Sequence, residues 1–233
     1  MEEYIVNNKR IKVNVFDKIR DSFDAYFLGY LFCDGAYHRP THKRKHRISV
    51  SSTDIETIDL FIEHYQPTTD PKEREPNSNL DAGIIGKKNY KNFVLSSKFS
   101  ESLENFGVMK LKKDRIYQNV PKKFFKQFLL GCFDADGSIS WGVRKDRNRL
   151  WADFKITHSS LQFLLKLQKQ IYDDFNMSSF VAKKSENEDC FVLRISERSE
   201  VARMFDILYE ETSQVFNARK RAHYKEYVCK LRA

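Results

Sequence analysis

The chain has 233 residues and a formal net charge of +9, from 41 Lys and Arg against 32 Asp and Glu. With 41% hydrophobic and 14% aromatic residues it has ample material for a packed core, which excludes a disordered chain. No apolar run approaches the roughly 20 residues that cross a bilayer, and the basic balance favours a polyanionic partner.

Residues 1–17 read as a polar lead-in with short alternation at Ile11, Val13 and Val15. Met1-Glu2-Glu3-Tyr4 has no basic n-region followed by an apolar stretch, so no signal peptide is expected. A first helix is expected to begin at Asp21 or Ser22, both good N-caps, and to end on Asp34-Gly35. The hairpin that follows carries His38, Arg39, His42, Arg44, His46 and Arg47 and no acid. Its return strand alternates, turning Ile48 and Val50 inward and Arg47, Ser49 and Ser51 outward. His38, His42 and His46 have a spacing that suits metal ligands only on a helix, and Pro40 breaks such a helix. Contacts to phosphates or bases are expected of them instead. A helix over 54–65, a polar stretch through Pro71 and Pro76, a strand over 90–95 and a helix over 97–106 ended by Gly107 complete an αββαββα order.

Residues 108–120 link this first half, 1–118, to a second, 119–233, that repeats the order. Pro121 is well placed to open a helix, and Phe124, Phe128, Leu129 and Cys132 recur at steps of three and four before Asp136-Gly137 ends it. Strands over 138–144 and 149–157 turn Ile139, Trp141, Val143, Leu150, Ala152, Phe154 and Ile156 inward. Their outer face carries Ser138, Ser140 and Arg144, then Arg149, Trp151, Asp153 and Lys155. A helix from Ser160 has Leu161, Leu164, Leu165, Leu167 and Ile171 as its stripe. Strands over 179–183 and 190–196 follow, with Arg194 facing out, then a helix over 198–209 and a basic tail from Asn217 to Arg232. Cys33, Cys132, Cys190 and Cys229 show no ligand spacing, which fits a reducing compartment, cytoplasm or organelle matrix.

The two copies share a design. Gly29 and Cys33 stand four apart, as do Gly131 and Ala135, so each helix has a stripe almost without side chains and the two can pack backbone to backbone. Packed so, Asp34 and Asp136 meet at one end. Helix C-termini are already negative, and two carboxylates roughly 5 Å apart repel by about 3 kcal/mol at an effective dielectric near 20. A proton or a cation must lie between them, and hard divalent ions such as Mg²⁺ combine carboxylates, water and substrate phosphate.

Leu129-Leu130-Gly131-Cys132-Phe133-Asp134-Ala135-Asp136-Gly137 agrees with the word LAGLIDADG in six of nine places, and Phe27-Leu28-Gly29-Tyr30-Leu31-Phe32-Cys33-Asp34-Gly35 is a looser copy with Phe32 for the first acid. The pair resembles the motifs of the monomeric, two-motif LAGLIDADG homing endonucleases. That resemblance implies an α+β fold of two pseudo-symmetric αββαββα repeats joined through the motif helices, their sheets forming a saddle for about two turns of duplex DNA, on the order of 20 bp. It implies metal-dependent double-strand cleavage with short 3′ overhangs, using Mg²⁺, with Mn²⁺ as substitute and Ca²⁺ supporting binding alone. Asp34 and Asp136 would hold the metal with the carbonyls of Cys33 and Ala135. Lys112 and Lys220 fall where the family keeps a lysine near each cleavage centre, with Lys110, Lys113 and Arg219 as neighbours. Ser52 and His158 fall where it places a water-positioning residue. Asp134 is expected to be structural, since the first copy lacks it. A maturase acting on intron RNA and a non-cleaving DNA-binding regulator are the alternatives on the same fold, but neither gains from two repelling acids.

Overall fold

A computed structural model describes residues 3–6, 9–12, 18–38, 47–67, 70–74, 89–94, 97–108, 111–118, 120–144, 149–186, 189–209 and 215–232. The N-terminal segment forms a hairpin of β1 (Glu3–Val6) and β2 (Lys9–Lys12). The first repeat then runs α1 (Ser22–Asp34), β3 (Ala36–His38), β4 (Arg47–Ser52), α2 (Ile55–Tyr65), β5 (Lys72–Arg74), β6 (Asn89–Val94) and α3 (Ser97–Asn105). The second runs α4 (Phe125–Asp136), β7 (Gly137–Arg144), β8 (Arg149–His158), α5 (Leu161–Phe175), β9 (Phe180–Lys183), β10 (Phe191–Ile195) and α6 (Arg198–Tyr209), and α7 (Ala218–Arg232) closes the chain. The two four-stranded antiparallel sheets have the same topology, β3-β4-β6-β5 and β7-β8-β10-β9. The fold is α+β, with αββαββα order in both repeats.

Helix α1 starts where its cap predicts, the Asp21 carboxylate accepting from the Asp24 amide at 2.9 Å. Every residue from Asp24 to Cys33 is buried, so this helix is apolar all round rather than amphipathic, as befits an element enclosed on all sides. It packs along α4 with the backbones in contact. A methyl group on Gly29 would lie 2.1 Å from the Phe128 carbonyl oxygen, and one on Gly131 would lie 1.9 Å from that of Tyr26. Helix α4 starts later than Pro121 suggests, because a 3₁₀ turn over Lys122–Phe124 comes first.

Burial corrects two stripes. On α5 the buried residues are Phe163, Leu164, Leu167 and Ile171, whereas Leu161 and Leu165 are 36% and 40% exposed. The Ser160 hydroxyl, which accepts from the Phe163 amide, fixes the start and so the rotation of the helix. Val143 is 52% exposed, because the end of β7 runs past the helices its inner face covers.

Asp134 ties the repeats together. Its buried carboxyl accepts from the Tyr26 hydroxyl at 3.0 Å, the Tyr209 hydroxyl at 2.9 Å and the Asn217 amide at 2.7 Å, joining α1, α6 and the entrance to α7. Burial pushes it up to about 6 against the pull of these donors. The corresponding residue of α1, Phe32, packs instead against Tyr117, Phe128 and Phe163, which explains why only one copy carries the extra acid. Replacing Asp134 by Ala would strand these donors in the core. A loss of about 3–5 kcal/mol in urea unfolding at pH 7 is expected, and a loss below about 1 kcal/mol would remove the clamp from the account.

Candidate metal and nucleic-acid site

Because α1 and α4 lie backbone to backbone, their last residues come to one place. Asp34 and Asp136 are partly exposed there, and the Lys112 ammonium stands between them, 3.6 Å from Asp34 Oδ1 and 3.7 Å from Asp136 Oδ2. Burial pushes the Asp136 carboxyl up to about 6, opposed by Lys112 and reinforced by Asp34. The pair therefore gathers negative charge beside two helix C-termini, and among the described residues Lys112 is the side-chain cation within 4 Å of both. Two carboxylates open to solvent are the oxygen donors that a hard divalent ion takes, so the residues present fit such an ion.

Beneath the acids the helix ends are held by two cations, one half-buried and one buried. Lys220 donates to the carbonyls of Phe133, Ala135 and Gly137, at 2.9, 3.3 and 2.7 Å. Arg115 donates to those of Leu31, Phe32 and Gly35, at 3.2, 2.5 and 2.8 Å. With Gly29 aligned to Gly131, Leu31 matches Phe133 and Gly35 matches Gly137, so Arg115 and Lys220 are equivalent. The expected pairing of Lys112 with Lys220 is thus replaced: Lys112 corresponds to Asn217, three residues before the cap in each repeat. Burial lowers both caps, Arg115 to about 10; the guanidinium, still charged at neutral pH, neutralises a helix C-terminus. The Ala135 carbonyl, offered by the sequence as a metal ligand, already accepts from Lys220.

Ser52 and His158 also form an equivalent pair. The Asp54 amide donates to the Ser52 hydroxyl at 3.1 Å and the Ser160 amide to His158 Nδ1 at 3.0 Å. Each closes the turn from a central strand into the next helix. His158 is 2% exposed and packed against Phe32 and Phe163, and burial lowers it to about 3. Both side chains accept from the turn, and the buried Nε2 of His158 is left without a hydrogen bond. Asp54, the other polar residue of the first turn, accepts from Arg219 and Asn217 across the repeat boundary. Another cluster, Asp21, Asp24 and His64, has ligand-like spacing, but Arg20 Nε already donates to Asp24 at 2.9 Å and His64 Nε2 lies 3.1 Å from it.

The outer sheet faces are less uniform than alternation suggests. Ser138, Arg144 and Arg149 are exposed, and His38, Arg47, Ser140, Trp151, Lys155 and Arg194 are half-buried. Arg39, His42 and Arg44 lie outside the described residues. Ser49 is buried at 1%, since β4 is an inner strand and a small side chain there is hidden by its neighbours. Asp153 is buried too. Burial pushes its carboxyl up, but hydrogen bonds from Arg194 at 2.7 and 2.5 Å and the nearby Lys155 outweigh this and leave it lowered. Asp153 positions the Arg194 guanidinium instead of presenting a carboxylate. The sequence missed Arg198, which joins Arg144, Arg149, Trp151 and Ser196 around a cleft at the far end of this sheet and whose buried Nε has no partner. Only the tertiary proximity of residue 198 to the β7–β8 hairpin reveals it.

Residues 124–209, from α4 to α6, match the LAGLIDADG-like domain. No curated protein matches the chain in sequence. Solved structures match most of it. I-DmoI in complex with DNA and Ca has a TM-score of 0.59 at 13% identity, covering 88% of this chain and 97% of that one. The meganuclease I-SmaMI bound to uncleaveable DNA has 0.58 at 14%, covering 88% of each. The LAGLIDADG homing endonuclease I-GzeII in complex with its DNA target has 0.56 at 12%, covering 87% and 88%. At such identities the likeness establishes the fold.

Proposed function

From a chain that carries a LAGLIDADG-like domain and the fold of the LAGLIDADG homing endonucleases, we propose a site-specific DNA endonuclease that makes metal-dependent double-strand cuts and leaves short 3′ overhangs. The observation that carries this reading is the acid pair. Asp34 and Asp136 are held at adjoining helix ends, open to solvent, with one lysine between them. A maturase or a regulator would gain nothing from keeping repelling carboxylates there.

In this reading Asp34 and Asp136 hold Mg²⁺, or Mn²⁺ in its place, while Ca²⁺ supports binding without cutting. The bound ion lowers the pKa of a coordinated water and stabilises charge on the scissile phosphate. Arg115 and Lys220 fix the backbone from which the acids project and cancel helix-end charge, which for Lys220 opposes the upward push on the Asp136 carboxyl. The outer faces of the two sheets follow the grooves on either side of the cut. There Arg47, Arg149, Lys155 and Arg194 supply cations to phosphates, and Ser138, Ser140 and His38 supply donors to base edges.

Arg198 extends this surface. Arg198→Gln removes one phosphate partner, so DNA binding is expected to weaken similarly on all sequences, with the slope of log K against log salt reduced by about 1. An unchanged slope would take the cleft out of the interface. The reading as a whole is tested by incubating a randomised duplex library with the protein and Mg²⁺ and sequencing the ends produced. Recurrent breaks in both strands at one sequence are expected; no breaks with Mg²⁺ or Mn²⁺ would overturn the nuclease.

A further inference from the structure

Among the described residues three basic side chains stand beside the two motif-helix ends, and two of them are committed. Arg115 and Lys220 each donate to three backbone carbonyls. Lys112 is different: its ammonium lies between the carboxylates of Asp34 and Asp136, on a short 3₁₀ turn, Lys112–Asp114, that buries none of its residues. Its long flexible stem can swing into solvent without opening the core. The equivalent residue of the second repeat, Asn217, is neutral and engaged with Asp54 and with the Lys220 amide. One mobile ammonium therefore serves two acids, from the place where a divalent ion bound by both would lie.

We propose that Lys112 is a displaceable internal cation, which holds Asp34 and Asp136 together in the metal-free protein and competes with the divalent ion for them. This rests on the metal reading above and goes beyond it. Two carboxylates and a divalent ion are already neutral together, so an ammonium left between them would face a like charge within a few ångströms and lose its counter-charge. Metal and Lys112 exclude one another there, and metal entry frees the lysine toward the DNA phosphates.

Calorimetric titration of the DNA-free protein with Ca²⁺ at pH 7.5 tests this, using Lys112→Met, Lys113→Met, Lys112→Arg and Asp136→Asn beside the native chain. Lys112→Met is expected to bind Ca²⁺ about tenfold more tightly than native, to unfold at a lower temperature in EDTA, and to gain more from added Ca²⁺. Lys113→Met deletes the same charge one residue away, on an exposed side chain, and Lys112→Arg keeps a cation in place; both should bind as native. Equal or weaker binding by Lys112→Met, the same tightening in Lys113→Met, or no Ca²⁺ binding by either native or Lys112→Met would overturn the proposal. Asp136→Asn separates the two claims. If it binds Ca²⁺ as native does, the acid pair is not the metal site and the reading beneath the proposal fails instead.

Discussion

Gly131→Ala is expected to prevent the chain from reaching its native fold. The added methyl would sit 1.9 Å from the Tyr26 carbonyl oxygen and 2.9 Å from the Tyr30 amide nitrogen, both main-chain atoms of a helix buried on all sides. Side chains can rotate away from an intruder, but here α1 and α4 would have to separate along their length. Overpacking in a tolerant core costs about 1–3 kcal/mol; separating the central helix pair should cost more, on the order of 5 kcal/mol, close to the whole stability of an ordinary domain. Urea unfolding followed by circular dichroism and tryptophan emission reads this directly. A loss below about 1 kcal/mol would show that the helices are not in backbone contact. Leu130→Ala, three carbons smaller in the same helix, should cost about 2–5 kcal/mol and leave a folded protein, which separates the close approach from ordinary packing.

Asp136→Asn is expected to abolish cleavage and at the same time to stabilise the metal-free protein. Burial raises this carboxyl to about 6 in the fold, against about 3.9 in an unfolded chain. Between those values the folded state binds more protons than the unfolded one, so stability falls as pH rises from about 4 to about 6 and stays low above. The cost at pH 7 is about 3 kcal/mol. Asparagine has no charge to lose, so in EDTA the variant should gain about this much above pH 6 and nothing near pH 4. Asp54 and Asp153 have the opposite sign: their lowered carboxyls contribute stability that is present at neutral pH and lost as pH falls through the acid range. A stability difference between Asp136→Asn and native that is near zero at pH 4 and grows as pH rises to 7 in EDTA is the expected signature. A variant that is less stable than native at every pH would mean that the carboxylate is structural.

The helix ends were legible because they are written in local chemistry. Asp21 caps α1, Gly35 and Gly137 stop the motif helices, and the paired glycines foretell the close contact that places Asp34 beside Asp136. What escaped depends on partners far along the chain. Lys112 and Lys220 look interchangeable as lysines after a helix, and only their targets, two carboxylates for one and three carbonyls for the other, tell them apart. The serine and histidine at the ends of β4 and β8 look like site residues until their acceptor atoms are seen closing a turn. Alternation marks Ser49 and Asp153 as outward, but facing outward on an inner strand is not the same as being exposed. On α5 two leucines that fit the apolar pattern lie on the solvent side, since the pattern Leu161, Leu164, Leu165 allows more than one rotation.

The central claim, that Asp34 and Asp136 together form the cutting centre, is tested most directly by single-turnover cleavage of the duplex recovered from the library. Native protein, Asp34→Asn and Asp136→Asn would be compared in Mg²⁺, with DNA binding measured in Ca²⁺ alongside. Native protein is expected to cut both strands, and both variants to lose at least about 10³-fold, as expected when a metal ligand and its charge stabilisation are lost, with DNA binding retained. Cleavage surviving within about tenfold in either variant would contradict it.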